Sequence, residues 1–244
     1  MTTSTKSRAS RRTPFNPRNA LLGRLGKLEY HTLAPHLEHV ELPLGAVLGE
    51  PGHVDEYFYF PGTAVISLLT VMRDGRSVEA ATVGNEGVTG LSALLGDGIL
   101  ATRSNVQIAG SAYRVGSATL LRILVKLPTL ERLLKIYTRT FINQLTQSLA
   151  CNSLHGVTAR CARWLLMTHD RVGNTDTFYL TQESLAVMLG VRREGVSGVS
   201  RWLKAAGAIR YVRGRVTIVD RKQLEIASCE CYGAARRDYL PLPT

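Results

Sequence analysis

The spacing of hydrophobic residues indicates an antiparallel β-structure in the first half of the chain. Between Val40 and Val115, short apolar or alternating runs are separated by glycines, as in the strands of a sandwich or roll. The Asp74-Gly75 pair between two of these runs predicts a hairpin turn, because both residue types tolerate positive φ. We therefore expect a small β-roll here, preceded by one or two short helices between Ala20 and Leu37.

A different spacing, with apolar residues three and four positions apart, runs from Leu130 nearly to Leu154 and predicts a long helix. About 24 residues at about 1.5 Å each make a rod of about 36 Å, longer than a small domain needs. We expect a second subunit to share this helix, because a rod that extends beyond its own domain leaves apolar residues uncovered. Packing on its own β-roll alone is the alternative. The expected subunit contacts are Leu134, Tyr137, Phe141, Leu145 and Leu149.

Two shorter helices are predicted further along the chain. His155-Gly156 interrupts the long helix and is a candidate hinge. Thr181 can cap a helix over Gln182–Leu189, and Gly190 can adopt the left-handed conformation that a sharp turn requires. A second helix is predicted from Arg192 to Ala206. Its expected buried residues are Val196, Val199, Trp202 and Leu203.

A basic hairpin follows this second helix. Gly207 ends the helix, and the alternating residues of 209–212 and 215–219 predict two strands around Arg213-Gly214. From Val191 to Arg215, seven basic residues accompany one acidic residue, Glu194. Helix, glycine turn, helix and basic hairpin together are typical of a winged helix-turn-helix.

The charge of the chain indicates a polyanionic partner. Lys and Arg total 30 against 19 Asp and Glu, which gives a formal net charge of +11. A helix that begins with Arg and Glu suits the DNA major groove, where arginine can bond guanine and a carboxylate can accept from cytosine. Base contacts are predicted for Arg193, Glu194, Ser197 and Arg201. Phosphate contacts are predicted for Thr181, Gln182, Arg192, Arg213 and Arg215.

Composition also narrows the compartment and the chemistry. The sequence has no run of about 18 apolar residues, and its basic N-terminus lacks the apolar block of a secretory signal. We expect a cytoplasmic protein without membrane contact, with a disordered basic tail at residues 1–19. The sequence shows no Ser-His-Asp order, zinc motif or phosphate-binding loop, so an enzyme is not expected.

The four cysteines, Cys151, Cys161, Cys229 and Cys231, lack the C-x-x-C spacing of a zinc ribbon. No adjacent histidine completes a set of ligands with the last two. We interpret all four as reduced thiols and predict no metal site. A metal site or redox pair that includes Cys229 and Cys231 is the alternative.

The segment from Thr181 to Ile209 has the pattern T-x-E-x-L-A-x-x-L-G-V-x-R-E-x-V-S-x-x-x-x-x-L-x-x-x-G-x-I. This motif, with the GAVLGEPG and YFYFPGTAV segments of the predicted roll, resembles the Crp/Fnr family of bacterial transcription regulators. The resemblance covers about residues 20–224. It implies a homodimer that binds a palindromic DNA operator and contacts RNA polymerase.

The resemblance also implies roles for individual residues. The family's base-reading Arg and Glu fall on Arg193 and Glu194. A further base-contacting arginine of the cyclic-AMP-responsive members falls on Gly198, which has no side chain. We therefore expect a different target sequence.

The sensor half departs further from the family. Its cyclic-nucleotide members bind the ribose with a Gly-Glu pair and the cyclic phosphate with Arg-Ser or Arg-Thr. Here the candidate effector-pocket residues are Glu86, Arg103 and Ser104, but the segment between them is longer and the Gly-Glu order is not kept. Cyclic-nucleotide binding is therefore not expected, and the sequence does not identify another effector. An iron–sulfur cluster is not expected, because no cysteine precedes Cys151.

The predicted fold is α+β. A disordered tail is expected at 1–19, a cyclic-nucleotide-binding-like antiparallel β-roll at 20–129, a dimerisation helix at 130–155, a winged helix-turn-helix domain at 156–224 and a C-terminal tail at 225–244. The expected function is that of a homodimeric, sequence-specific DNA-binding regulator. A ligand-binding module whose winged helix docks a protein partner is the alternative, and the salt dependence of binding distinguishes the two.

Overall fold

The computed structural model describes residues 18–173 and 175–239. The disordered tail predicted at 1–19 lies outside these ranges, except for its last two residues. Asn19 is buried and donates from its amide to Pro61 O at 3.1 Å and to Gly87 O at 2.8 Å, so it belongs to the folded domain. In the described ranges, no helix has the length and apolar character needed to cross a membrane.

The first half of the chain forms the predicted antiparallel β-roll. Its elements are α1 (Lys27–Leu33), β1 (Glu38–Leu42), β2 (Val47–Gly49), β3 (Tyr57–Pro61), β4 (Val65–Val71), β5 (Ser77–Val83), α2 (Leu91–Leu95), β6 (Arg103–Ile108), β7 (Gly110–Gly116) and α3 (Ser117–Ile123). One sheet has the order β1-β7-β3 and the other β2-β6-β4-β5. Gly75 turns the chain between β4 and β5 at φ 82°, which confirms the hairpin predicted at Asp74-Gly75.

The long helix α4 (Pro128–Leu154) packs its first half against the roll. Leu134 and Tyr137 are 0% and 2% exposed. The Tyr137 ring lies against Gly87, where an added Cβ would fall 2.3 Å from the phenol oxygen. The prediction that Leu134 and Tyr137 contact a second subunit is wrong, because α4 uses this part of its apolar stripe to close the core of its own roll.

The second half of α4 presents a different face. Phe141 and Leu145 are half-buried and line a cavity of the roll. Ile142 and Leu149 lie seven residues apart and are 55% and 70% exposed. Residues seven apart lie on the same side of a helix, so these two define the exposed apolar face of α4.

The C-terminal domain has a helical core with a small sheet. Its elements are α5 (Val157–Val172), β8 (Thr177–Tyr179), α6 (Gln182–Leu189), α7 (Arg193–Ala205), β9 (Ile209–Val212), β10 (Arg215–Ile218), α8 (Arg221–Ala227) and α9 (Cys231–Tyr239). The sheet has the order β8-β10-β9. The sequence pattern missed β8, because a strand this short shows no clear alternation.

The prediction of a C-terminal tail at 225–244 is wrong for the residues that the structure describes. Helix α9 packs against α4 and α5, and its residues Cys231, Tyr232 and Ala235 are buried. Positions i, i+1 and i+4 lie on one side of a helix, which is the signal in the sequence that could have identified α9.

The roll and the C-terminal domain meet through a buried polar network. Glu79 on β5 accepts hydrogen bonds from Ser67 Oγ at 2.7 Å, Trp164 Nε1 at 2.6 Å and Gln107 Nε2 at 2.9 Å. Burial raises the pKa of Glu79, and these hydrogen bonds oppose the rise. Trp164 belongs to α5, so the carboxyl group of Glu79 links the two domains.

Candidate nucleic-acid interface and effector cavity

The turn between α6 and α7 has the predicted helix-turn-helix geometry. Thr181 caps α6, since its hydroxyl accepts a hydrogen bond from Ser184 N at 3.0 Å. Gly190 ends α6 in the left-handed conformation, at φ 61° and ψ 37°. Val191 packs against the core of the domain, as the residue between the two helices must to set their angle.

Helix α7 has a buried and an exposed face. Val196, Val199, Ser200 and Leu203 are buried at positions i, i+3, i+4 and i+7. The prediction that Trp202 lies on the buried face is wrong, because it stands at the edge of this stripe and is 52% exposed. The start of α7 is open to solvent, with Arg192, Arg193 and Glu194 all exposed.

A groove of about 610 Å³ lies between the start of α6, the exposed face of α7 and the hairpin of β9 and β10. Its lining includes the following residues of the predicted contact set: Thr181, Gln182, Arg193, Ser197, Arg201 and Arg213. Lys204 and Tyr211 also line it, and the sequence analysis did not select either one. Arg215 lies in a neighbouring depression on the hairpin, beside Arg210 and Arg213. Most of the predicted set is therefore brought together on one concave surface.

The charges of this groove are available for an external anion. Its basic lining residues are Arg193, Arg201, Lys204 and Arg213, against one acidic residue, Glu183. Among the ion pairs found in the described residues, none includes these four cations. Arg193 makes a long hydrogen bond of 3.4 Å to Gln182 Oε1. A polyanion in the groove would therefore break no ion pair of these residues.

The hairpin forms a wing beside the groove. Arg213 and Gly214 form its two-residue turn, and both have positive φ, at 47° and 75°. Two consecutive positive φ angles give the type I′ turn that matches the twist of two paired strands. Tyr211 anchors the wing, because its hydroxyl donates to Leu180 O at 2.9 Å. Burial raises the pKa of Tyr211.

A cavity of about 240 Å³ lies between the roll and α4. Its lining is mainly apolar and includes Leu68, Val88, Leu100, Phe141 and Leu145. Asp55 also lines it, and its carboxylate accepts from Ser92 Oγ at 2.6 Å. Burial raises the pKa of Asp55. None of the described residues that line the cavity is an arginine or a lysine.

The structure does not gather the three predicted effector residues in this cavity. Ser104 lines it, whereas Arg103 pairs with Glu50 at 2.9 Å. Glu86 pairs with Arg171 of α5 at 2.8 Å, and both side chains are nearly buried. Glu86 therefore joins the roll to the C-terminal domain, and a free arginine at position 103 for a cyclic phosphate is not seen.

A cluster of sulfur and nitrogen atoms lies at the opposite end of α4 from the roll. Cys151, His155, Cys229 and Cys231 bring potential ligand atoms within 4.8 Å of one another. The sequence analysis considered only histidines adjacent in sequence to Cys229 and Cys231, whereas His155 is distant in sequence and adjacent in space. The folding of α9 onto α4 creates this proximity, which no local motif could show.

The chain thus combines a β-roll, a long connecting helix and a winged helix-turn-helix with a basic groove. Residues 159–226 match the family described as the Crp-like helix-turn-helix domain. The motif found in the sequence at Thr181–Ile209 therefore lies within a Crp-like helix-turn-helix domain.

Solved structures share this fold. FixK2 from Bradyrhizobium japonicum is 17% identical, with 79% of this chain and 98% of that chain covered and a TM-score of 0.67. The c-di-GMP responsive global regulator CLP from Xanthomonas campestris is 13% identical, with 79% and 98% covered and a TM-score of 0.64. TTHB099, a transcriptional regulator of the CRP family from Thermus thermophilus, is 20% identical, with 78% and 96% covered and a TM-score of 0.62. No curated protein matches the chain.

Proposed function

We propose that the protein is a homodimeric, sequence-specific DNA-binding transcription regulator that places α7 in the major groove. The observation that carries the proposal is the basic groove, in which four cations line one concave surface beside the exposed start of α7. A helix of this kind fits the major groove, and its N-terminal residues reach the base edges. RNA polymerase is the partner that such a regulator acts on.

The position of each side chain supports base contacts for some residues and phosphate contacts for others. Arg193 and Glu194 stand in the first turn of α7, and Ser197 and Arg201 follow at helical spacing, so these four contact bases. The residues that flank the exposed face of α7 contact phosphates, because the DNA backbone runs along both sides of the major groove that α7 enters. They are Thr181 and Gln182 at the start of α6, Arg192 before α7, and Arg213 and Arg215 on the wing.

A second copy of the chain covers the exposed apolar face of α4. Ile142 and Leu149 form part of a heptad pattern on a helix of 27 residues, which suits a parallel helix pair. A two-fold axis along this pair would repeat the recognition helix and match a palindromic operator.

The cavity of the roll is the proposed effector site. Its apolar lining, without a lysine or arginine among its described residues, suits a small apolar effector better than a cyclic nucleotide. Phe141 and Leu145 belong to both the cavity wall and α4, so an occupant contacts the helix directly. Gly156 separates α4 from α5 and is the hinge through which a shift of α4 reaches the DNA-binding domain.

Selection of bound sequences from random duplex DNA, followed by a salt titration, tests the proposal. We expect a palindromic consensus, and an affinity whose logarithm falls linearly with log salt by about 0.9 for each phosphate contact. Arg213→Ala should make this slope shallower, whereas Arg122→Ala, on the exposed surface of α3, should not change it. Binding that ignores salt, or selection without a consensus, would favour a protein-docking role and contradict the proposal.

A further inference from the structure

The end of α4 and the start of α9 bring together side chains that are far apart in sequence. Cys151 lies in the last turn of α4, and His155 follows directly after that helix. Cys231 is the first residue of α9, and Cys229 precedes it by two positions. All three cysteines are buried and free of disulfide bonds. Their arrangement therefore depends on the packing of α9 against α4.

The distances within the cluster match a single tetrahedral ion. Cys151 Sγ and Cys229 Sγ are 3.5 Å apart, and Cys231 Sγ is 3.5 Å from His155 Nδ1. With zinc–sulfur distances of about 2.3 Å and zinc–nitrogen distances of about 2.0–2.1 Å, tetrahedral angles place two sulfurs about 3.8 Å apart and a sulfur and a nitrogen about 3.6 Å apart. Small side-chain adjustments are enough to close the cluster around an ion.

The surroundings of the cluster resemble the outer shell of a metal site. Glu230 Oε2 lies 3.1 Å from His155 Nε2, so a proton on Nε2 can be donated to this carboxylate while Nδ1 keeps its lone pair for an ion. Gln147 Nε2 donates to Cys231 Sγ at 3.0 Å, a contact that stabilises a thiolate. A carboxylate that accepts a hydrogen bond from a ligating histidine is one of the common supports of a zinc site.

We propose that Cys151, His155, Cys229 and Cys231 bind one zinc ion. Three thiolates and one imidazole are a closed tetrahedral donor set that favours Zn²⁺ over harder divalent cations. Binding releases the three thiol protons to solvent, and three thiolates around Zn²⁺ leave a net charge of −1. A four-iron cluster fits less well, because it binds each ligand through a different iron and needs the ligand atoms further apart than 4.8 Å.

The four proposed zinc ligands lie on both sides of the link between α4 and α5. Cys151 and His155 precede Gly156, the hinge between α4 and α5, whereas Cys229 and Cys231 belong to the C-terminal domain. A zinc ion would tie the two sides of the hinge together. The bound ion therefore limits the movement of the DNA-binding domain relative to α4.

Metal analysis of the purified full chain, free of any polyhistidine tag, tests the site. We expect elemental mass spectrometry to find one zinc per subunit. After exchange, we expect one cobalt per subunit, with an absorption spectrum that shows thiolate-to-cobalt charge transfer and the intense visible bands of tetrahedral cobalt. These readouts do not involve DNA, so they stand even if the proposed function fails. Wild-type protein that neither contains nor retains zinc after incubation and desalting would overturn the proposal.

Variants locate the ion within the chain. Cys229→Ser and Cys231→Ser should lose the stoichiometric zinc, whereas Cys161→Ala, a buried cysteine in α5 outside the cluster, should keep it. Glu230→Gln leaves the four ligands in place and should lower zinc affinity by about 10- to 100-fold in competition with a chromophoric chelator. Equal zinc in wild type and both serine variants would contradict the assignment.

Discussion

At the scale of single residues, position separates arginines that charge alone cannot distinguish. Arg193 begins α7 and lines the groove, whereas Arg215 lies on the wing in the neighbouring depression. The first turn of a recognition helix reaches base edges, and a hairpin beside the groove follows the backbone. Loss of each arginine should therefore have a different effect on DNA binding.

We expect Arg193→Ala to cost about 1–3 kcal/mol on the selected operator and to flatten base preference at one position of each half-site. Arg215→Ala should weaken binding to all sequences alike and make the salt slope shallower by about one unit per subunit. Competition assays on the operator and on scrambled DNA measure both effects. The same pattern for the two variants would refute this division of roles.

Gly198 lowers the stability of helix α7, although no neighbouring atom requires a glycine there. It is exposed on α7, and an added Cβ would meet no atom within 4 Å. Gly198→Ala should raise the free energy of unfolding by about 1 kcal/mol, because alanine loses less backbone entropy in a helix. Gly190→Ala is the contrasting variant and should destabilise by about 1–2 kcal/mol, since its φ is 61°. Denaturant titration measures both, and a destabilising Gly198→Ala would contradict the argument.

At the scale of the helix, the two halves of α4 have different tasks. The half that contains Leu134 and Tyr137 belongs to the core of the roll, whereas Ile142 and Leu149 are exposed. A charge at Phe141 would disturb the roll itself, because this side chain lines the cavity. Ile142 is therefore the informative position for a test of the subunit contact.

Ile142→Glu should convert a dimer into monomers, because it places two like charges in the apolar seam between the helices. Asn143→Glu adds the same charge one position further along, on the solvent side of the predicted pair, and should leave the dimer intact. Sedimentation velocity distinguishes the two species. A monomeric wild type, or equal dissociation of both variants, would show that α4 is not the subunit contact.

At the scale of the whole molecule, buried polar contacts hold the roll against the DNA-binding domain. Glu79 binds Trp164 of α5, and Glu86 binds Arg171 of the same helix. Both contacts cross from one domain to the other. Any effector that separates the domains must break or replace them.

Glu86→Ala should reduce the free energy of unfolding by about 3–5 kcal/mol, because it removes a nearly buried carboxylate that pairs with the buried guanidinium of Arg171. Glu50→Ala is the matched control. Its pair with Arg103 is about 40% exposed on both sides, so its loss should cost only about 0–1 kcal/mol. Denaturant unfolding of both variants tests the contrast, and equal losses would contradict a buried role for Glu86.

Local sequence determined the elements whose geometry depends on neighbouring residues. Thr181 predicted a helix cap because its hydroxyl reaches an amide three residues later, and Gly190 predicted a turn because it tolerates positive φ. The same short-range rules predicted the Asp74-Gly75 hairpin, the helical spacing of apolar residues along α4 and the basic wing. The sequence by itself therefore determined the winged helix-turn-helix and the order of the two domains.

Only the tertiary structure decided what these elements pack against. A helical stripe shows that Leu134 and Tyr137 are covered, but their own roll rather than a second subunit covers them. Glu86 pairs with Arg171 across 85 positions, and Cys151 meets Cys229 across 78. Periodicity and motifs encode contacts within a few residues, whereas such pairs form only when α5 and α9 dock. The domain contact and the cysteine–histidine cluster thus depend on the folded chain as a whole.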